Sequence, residues 1–240
     1  DIGNAVGPGN EEDAENFIRL TSALREARED IFLNCTVGTW ASPFWLQFAD
    51  AIWRQDADWS TIGDQGNTRQ RWITYRDYMV YKNFTAASPL CPINSLMTHG
   101  LMISGFGNAG GNPPRAMEDD ASACTVAEIT KEMRCAFACG SSLVELYIDH
   151  ELMTNKENGK LWRELAECIK WHRNNADVLD DTHWVGGNPW DGSKANIYGW
   201  ASWNGEEAVL TLRNPSATEQ SFTTTLRQAL DIPDYITGSV

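Results

Sequence analysis

Apolar positions follow a helical spacing near the start of the chain and alternate near its end. Phe17, Leu20, Leu24, Ala27 and Ile31 recur every three to four residues, which predicts an amphipathic helix over about 13–29, with Asp13 as its cap. Residues 1–12 are rich in Gly, Asn, Pro and acid and predict a loop. The run from Ile31 to Thr36 is short, apolar and bounded by polar residues, as a buried parallel strand is, and Gly38 and Pro43 end it. Ala51, Ile52 and Trp53 form a second such element. Asn67 to Val80 fits a helix, and Leu96 to Met102 is a strand-like run broken at Gly100. Residues 105–117 predict a Gly/Asn/Pro loop. A helix follows through Val126, Ile129 and Met133, with Ser122 and Thr125 as alternative caps. Leu143 to Tyr147 is the next apolar run, and a long helix takes about 158–177 with Leu161, Leu165, Cys168, Ile169 and His172 on one face.

From about residue 196 the period changes. Ile197 to Ala201, Ala208 to Leu212 and Ser221 to Leu226 are β-branched or alternating runs separated by Asn-Gly and Asn-Pro turns. The first part repeats strand, loop and helix; the last part reads as antiparallel β. A boundary near 182–195 divides the chain into a unit over 1–185 and the start of a second over 186–240. About four strands in the first unit suggest half of a (β/α)8 barrel, whose complete form takes about 250 residues. A doubly wound sheet is the weaker option, because no Gly-x-Gly-x-x-Gly or P-loop opens a helix.

Composition narrows the partners. The 240 residues are 42% hydrophobic, enough for a packed core, and carry a formal net charge of −14 with no basic cluster. That argues against nucleic acid and acidic membrane surfaces. No apolar run is long enough to span a membrane. Six cysteines without CxxC spacing make a zinc knuckle a poor reading, and they do not indicate disulfides. Tryptophan is abundant, at 11 residues, and several lie beside Gly, Asn, Asp or Arg. Each single Trp is more often core, but aromatic faces beside polar groups suit carbohydrate.

The densest chemistry is Ile52-Trp53-Arg54-Gln55-Asp56-Ala57-Asp58-Trp59. Two carboxylates and an arginine among indole rings follow an apolar strand. At the C-terminal end of a barrel strand they would face the mouth, where barrel enzymes keep their sites. Paired carboxylates are what glycoside hydrolysis needs: one protonates the leaving oxygen and the other attacks or activates water. The bland alternative is a solvated acidic loop. His99 sits between two apolar runs, as a buried core histidine or as a ligand contact at a strand end. Cys35 ends a strand and Trp40 lies in the loop after it; Cys35 is a buried small hydrophobe or a pocket wall. Ser141 and Ser142 lack a Gly-x-Ser-x-Gly elbow.

Taken together, these motifs resemble the clan of retaining α-galactosidases and α-N-acetylgalactosaminidases, nearest the bacterial branch related to melibiases and raffinose synthases. In order, Asp1-Ile2-Gly3-Asn4 resembles the end of the strand 4 motif, which carries the nucleophile. Ile31 to Gly38, with Cys35, resembles strand 5 and its loop. Trp53 to Asp58 resembles strand 6, which carries the acid/base. Met97-Thr98-His99 resembles strand 7, and 125–147 loosely resembles the approach to strand 8.

The resemblance implies an α/β fold: an incomplete (β/α)8 TIM barrel of about strands 5–8, followed by an antiparallel β-sandwich portion. A preceding segment or another chain would complete the barrel, and without it the 240 residues would be inactive. Asp1 is implied as nucleophile. Asp58 is implied as acid/base, since Trp53-Arg54 matches the lysosomal-type spacing, while the melibiase-type spacing selects Asp56. Cys35, Trp40, Trp53, Arg54 and His99 are implied around the substrate, an oligosaccharide or glycoside with a terminal α-galactosyl-type unit. No cofactor is required. A non-catalytic carbohydrate-binding or structural module, using Trp40, Trp53 and Trp203 as platforms, is the alternative, as is an α-galactosyl transglycosylase.

Overall fold

The computed structural model describes residues 11–36, 41–87, 91–98, 100–103, 120–148 and 159–237. Asp1, Trp40, His99 and the 105–117 loop lie outside them. Helix α1 (Glu11–Ala27) begins and ends two residues before its expected span. Glu11, Glu12 and Asp13 fill its first turn and Arg25 its last, which complements the helix dipole. Its apolar stripe, Ala14, Phe17 and Ile18, packs on a core of Cys35, Trp45, Ile52, Val80, Phe84 and Leu96.

Three short strands form a parallel sheet in chain order: β1 (Asn34–Cys35), β2 (Ala51–Trp53) and β3 (Leu96–Met97). Cys35 stands beside Ile52, and Ile52 beside Leu96. After Gly100, β4 (Leu101–Met102) pairs in parallel with β5 (Leu146–Tyr147), placing Leu101 beside Leu146 and Met102 beside Tyr147. The expected break at Gly100 is therefore present, and it divides one apolar run between two sheets. α2 (Thr68–Val80), α3 (Val126–Ala138) and α4 (Gly159–Asn174) follow β2, β4 and β5. Thr125, not Ser122, caps α3 through a bond from the Glu128 amide. Ser122 lies in a preceding 3-10 turn capped by Asp120. The long C-terminal helix is shorter than expected: α4 stops at Asn174, and a separate turn, α5 (Ala176–Leu179), follows.

Helix α2 has no polar face. Arg69, Trp72, Ile73, Thr74, Tyr75, Arg76, Asp77, Met79 and Val80 are all buried. Arg69 and Asp77 are tolerated there because partners reach them from far along the chain. The Arg69 guanidinium meets the Glu132 carboxylate and the Met102 carbonyl, and Glu132 also accepts from Trp72 Nε1 at 3.1 Å. Asp77 accepts from Arg76 Nε at 2.9 Å and from the Tyr198 hydroxyl at 2.6 Å.

Tyr198 belongs to the antiparallel sheet, whose order is β6 (His183–Gly186), β7 (Tyr198–Trp203) and β8 (Ala208–Arg213). Two of the three expected late strands are thus β7 and β8. The third expectation fails: 221–225 forms no strand, and Leu226 opens helix α6 (Leu226–Ala229). The reason is local. Thr225 and Gln228 make a reciprocal capping box, which starts a helix where alternation alone reads strand. Phe222 still packs inward, against the cluster of Val185, Ala201, Ala229, Leu230 and Ile232.

The fold is mixed α/β, with small parallel and antiparallel sheets and six α-helices among the described residues. Among those residues the sheets do not close into a barrel or stack as a sandwich. Cys35, Cys91, Cys135, Cys139 and Cys168 are free thiols. No helix among the described residues is long and apolar enough to cross a membrane.

Candidate functional site

Strand β2 is buried along its whole length, and the chain leaves it through a backbone that side-chain-bearing residues disfavour. Gln55 has φ 72° and Asp56 has φ 75°. Two consecutive left-handed residues without glycine cost about 1–2 kcal/mol each and persist only where surroundings enforce them. Here the enforcement is visible. The guanidinium of Arg54, fully buried, donates to the carbonyls of Gln55 at 2.8 Å, Ala57 at 2.8 Å and Thr98 at 2.9 Å. Asn83 donates to the Arg54 carbonyl at 3.0 Å, and Gln55 Nε2 donates to the Trp53 carbonyl at 2.9 Å. Arg54 is also roofed by aromatic rings, with its Cζ 4.9 Å from the Trp53 centroid, 5.6 Å from Tyr75 and 5.9 Å from Trp72. Burial is the largest influence on its pKa and pulls it down to about 10, offset in part by Tyr75, so it remains a cation at neutral pH.

The forced turn carries Asp56 and Asp58 out of the core, and both are exposed. The Asp56 carboxylate accepts from the Ala57 amide at 3.1 Å, from the Tyr75 hydroxyl at 3.4 Å and from Lys82 Nζ at 3.5 Å. Its side chain is 41% exposed and that of Lys82 is 51% exposed, so this ion pair contributes little to stability. The Tyr75 hydroxyl also accepts from the Ala57 amide at 3.2 Å. Burial, offset in part by Arg54, raises the Tyr75 phenol and keeps it neutral. After Asp58 the half-buried Trp59 stacks on Trp72 with centroids 4.9 Å apart and planes at 27°.

Strand β5 adds a second side to this neighbourhood. Tyr147 pairs with Met102 and packs against the cluster of Trp72, Ile73, Tyr75 and Met79, and its hydroxyl donates to Glu145 Oε2 at 2.8 Å. Burial first, then the Glu145 carboxylate and the charge of Asp58, push the Tyr147 phenol up, while Arg54 pulls it the other way.

The structure thus brings Trp53, Arg54, Asp56 and Asp58 together with Tyr75, Lys82, Glu145 and Tyr147. Cys35 lies elsewhere. It is 3% exposed, inside the core against α1, and burial pushes its thiol up to about 12. Trp53 is itself buried, and Arg54 spends its bonds on backbone carbonyls, so both support the loop from below. Sequence reading missed Tyr75, Lys82, Glu145 and Tyr147. The signal for Glu145 was available: a lone carboxylate inside an apolar run, two residues from a tyrosine and therefore on the same strand face.

Two grooves lie away from these carboxylates. One of about 620 Å³ is bordered by Asn67, Gln70, Lys131, Cys135 and Arg213, and one of about 310 Å³ by Arg134, Phe137, Cys168 and Trp171. Among the described residues no group of three or more His, Cys, Asp or Glu is arranged to hold a metal ion. Comparison of the chain with protein-family models, curated proteins and solved structures finds no match in any of the three.

Proposed function

We propose that the loop after β2 is the acid/base corner of a retaining glycoside hydrolase acting on terminal α-galactosyl-type units. The observation that carries the reading is the clamped left-handed pair Gln55 and Asp56. The fold holds a costly turn at the C-terminal end of a parallel strand and uses it to present two carboxylates beside stacked indoles. Asp58 is the acid/base, protonating the glycosidic oxygen and then deprotonating water. Asp56, already engaged by Tyr75 and Lys82, is its neighbour in the site. The nucleophile is assigned to Asp1 on the resemblance alone, and the α-galactosyl preference has the same source. In a retaining site the two working carboxyl groups stand about 5–5.5 Å apart. The parallel order β1, β2, β3 and the parallel pair β4, β5 support consecutive staves of a (β/α)8 barrel.

The test is hydrolysis of an aryl α-galactoside by the full-length gene product, followed by NMR of the first sugar formed. α-Galactose as first product supports retention; β-galactose rejects it.

A second reading has its own observation. The described grooves lie elsewhere, and Asp56 and Asp58 are exposed rather than enclosed. That arrangement suits a non-catalytic carbohydrate platform, which predicts saccharide binding without turnover and without dependence on Asp58.

A further inference from the structure

Among the described residues the interior holds more cations than carboxylates. Arg54, Arg69, Arg76 and Arg213 are buried, against Asp77 and Glu132. In a chain of net charge −14 this excess is unexpected, because a buried charge is costly without a partner of opposite sign. Arg54, Arg69 and Arg76 are sealed from solvent. Arg213 borders an opening, the groove of about 620 Å³ between α3 and the end of β8. Its Nη1 donates to the Tyr198 hydroxyl at 2.6 Å and to Thr74 Oγ1 at 3.0 Å, and its Nη2 to the carbonyl and the side-chain oxygen of Gln70, each at 3.0 Å. Those acceptors are all neutral, and Nε carries no bond among the described residues.

Helix α3 brings two more cations to the same groove. Lys131, Arg134, Cys135 and Ala138 follow one another at the spacing of a single helix face, and all of them line it. Arg134 is exposed, and its nearest carboxylate, Glu164, is 3.7 Å away, so its guanidinium donors are open. Lys131 gives one bond, to Glu128, and keeps two donors. Glu128 is the one carboxylate on the lining, and Gln70 Nε2 also donates to it, at 2.7 Å. The groove therefore carries three cations to one occupied carboxylate. Cys135 does not offset them, since burial pushes its thiol up to about 11 and keeps it neutral. Ala138 and Leu212, the latter 43% exposed, add apolar surface.

We infer that this groove binds a small amphipathic anion, a phosphate or carboxylate on an apolar body, with the anionic group held by Arg134, Arg213 and Lys131 and the body resting on Ala138 and Leu212. Guanidinium groups match either head group. A buried cation at the base attracts an anion more strongly than an exposed one, because less water screens it. The volume of about 620 Å³ is larger than an inorganic ion needs and falls in the range of about 300–1,000 Å³ typical of ligand sites. The groove lies away from Asp56 and Asp58, so the inference does not depend on the hydrolase reading.

The experiment is calorimetric titration of the full-length gene product at low salt with phenyl phosphate, benzoate, inorganic phosphate and the neutral benzyl alcohol. Arg134→Gln, Lys131→Gln and Leu212→Ser test the groove, and Arg19→Gln removes the same charge from the exposed face of α1. Each variant is first checked for an unchanged far-UV spectrum. At least one of the two aromatic anions should bind with a stoichiometry of one, and the tighter of them names the head group. Arg134→Gln and Lys131→Gln should each weaken that binding about tenfold, whereas Arg19→Gln should leave it unchanged. Inorganic phosphate and benzyl alcohol, and the aromatic anion on Leu212→Ser, should also bind more weakly, since each lacks half of the interaction. If neither aromatic anion binds, the inference is overturned. It is overturned equally if Arg19→Gln costs as much as Arg134→Gln, which would mean attraction to charge in general. Inorganic phosphate binding as tightly as phenyl phosphate would leave an adventitious ion only, and the amphipathic site would fall.

Discussion

Arg54 Nε donates to the carbonyl oxygen of Thr98 across 2.9 Å and so ties the exit of β2 to the exit of β3. Its two terminal nitrogens hold Gln55 and Ala57. One planar guanidinium thereby sets the path of the loop that carries both carboxylates. A lysine keeps the charge but cannot span three carbonyls. Arg54→Lys should destabilise the protein by roughly 3 kcal/mol, since buried acceptors lose their donors. The denaturant midpoint should fall at unchanged m-value; a shift of under about 0.5 kcal/mol would show that the clamp is dispensable.

Asp56 carries the opposite expectation. It holds φ 75° with a β-carbon, and glycine adopts that conformation without strain. Its bonds to Tyr75 and Lys82 are long, at 3.4 and 3.5 Å. Asp56→Gly should therefore raise stability by about 0.5–1 kcal/mol, read as a higher melting temperature. A lower one would mean that the carboxylate's contacts outweigh the strain.

The Asp77, Tyr198 and Arg213 chain joins α2 to the antiparallel sheet. The Tyr198 hydroxyl donates to Asp77 at 2.6 Å and accepts from Arg213 at 2.6 Å. Tyr198→Phe leaves both charged partners short of a bond in a fully buried place, and should cost about 2–3 kcal/mol. Urea denaturation checks this, and a double-mutant cycle with Thr74→Val, which removes another Arg213 acceptor, should show coupling.

Acid should loosen the start of α2. Asp120 accepts from the Ser122 hydroxyl at 2.6 Å and from the Thr68 amide at 2.8 Å. The hydroxyl bond, then the amide bond, hold its carboxyl down at about 2. The folded value lies below the unfolded value of about 3.9, so the carboxylate contributes stability that is fully present above about pH 4. That contribution is lost as pH falls towards about 2. Asp120→Asn should flatten this part of the curve of melting temperature against pH; a curve of unchanged shape would contradict it.

Much of the scaffold was legible because its signals are local. The existence of helix α1, the Thr125 cap and the break at Gly100 each depend on a few neighbouring residues, although the packed stripe of α1 is Ala14, Phe17 and Ile18 and the expected Leu20 is exposed. The Thr225 and Gln228 capping box was equally local, but alternation in 221–226 masked it. The burial of α2 was not legible, because Arg69 is paired with Glu132 and Asp77 accepts from Tyr198, both more than sixty positions further along. The site divides in the same way. The carboxylates Asp56 and Asp58 stand out as a motif, whereas Tyr75, Lys82, Glu145 and Tyr147 join them only through folding. The positive φ of Gln55 and Asp56 had no sequence sign, since no glycine marks it.

The assignment of Asp58 is tested most directly by azide rescue. Asp58→Ala in the full-length gene product is given an aryl α-galactoside with a good leaving group, with and without sodium azide, and the products are identified by NMR. If Asp58 is the acid/base, turnover is lost by two or more orders of magnitude and azide restores it, giving α-galactosyl azide with retained configuration. Undiminished hydrolysis by Asp58→Ala would remove Asp58 from the mechanism, and β-galactosyl azide would make it the nucleophile instead.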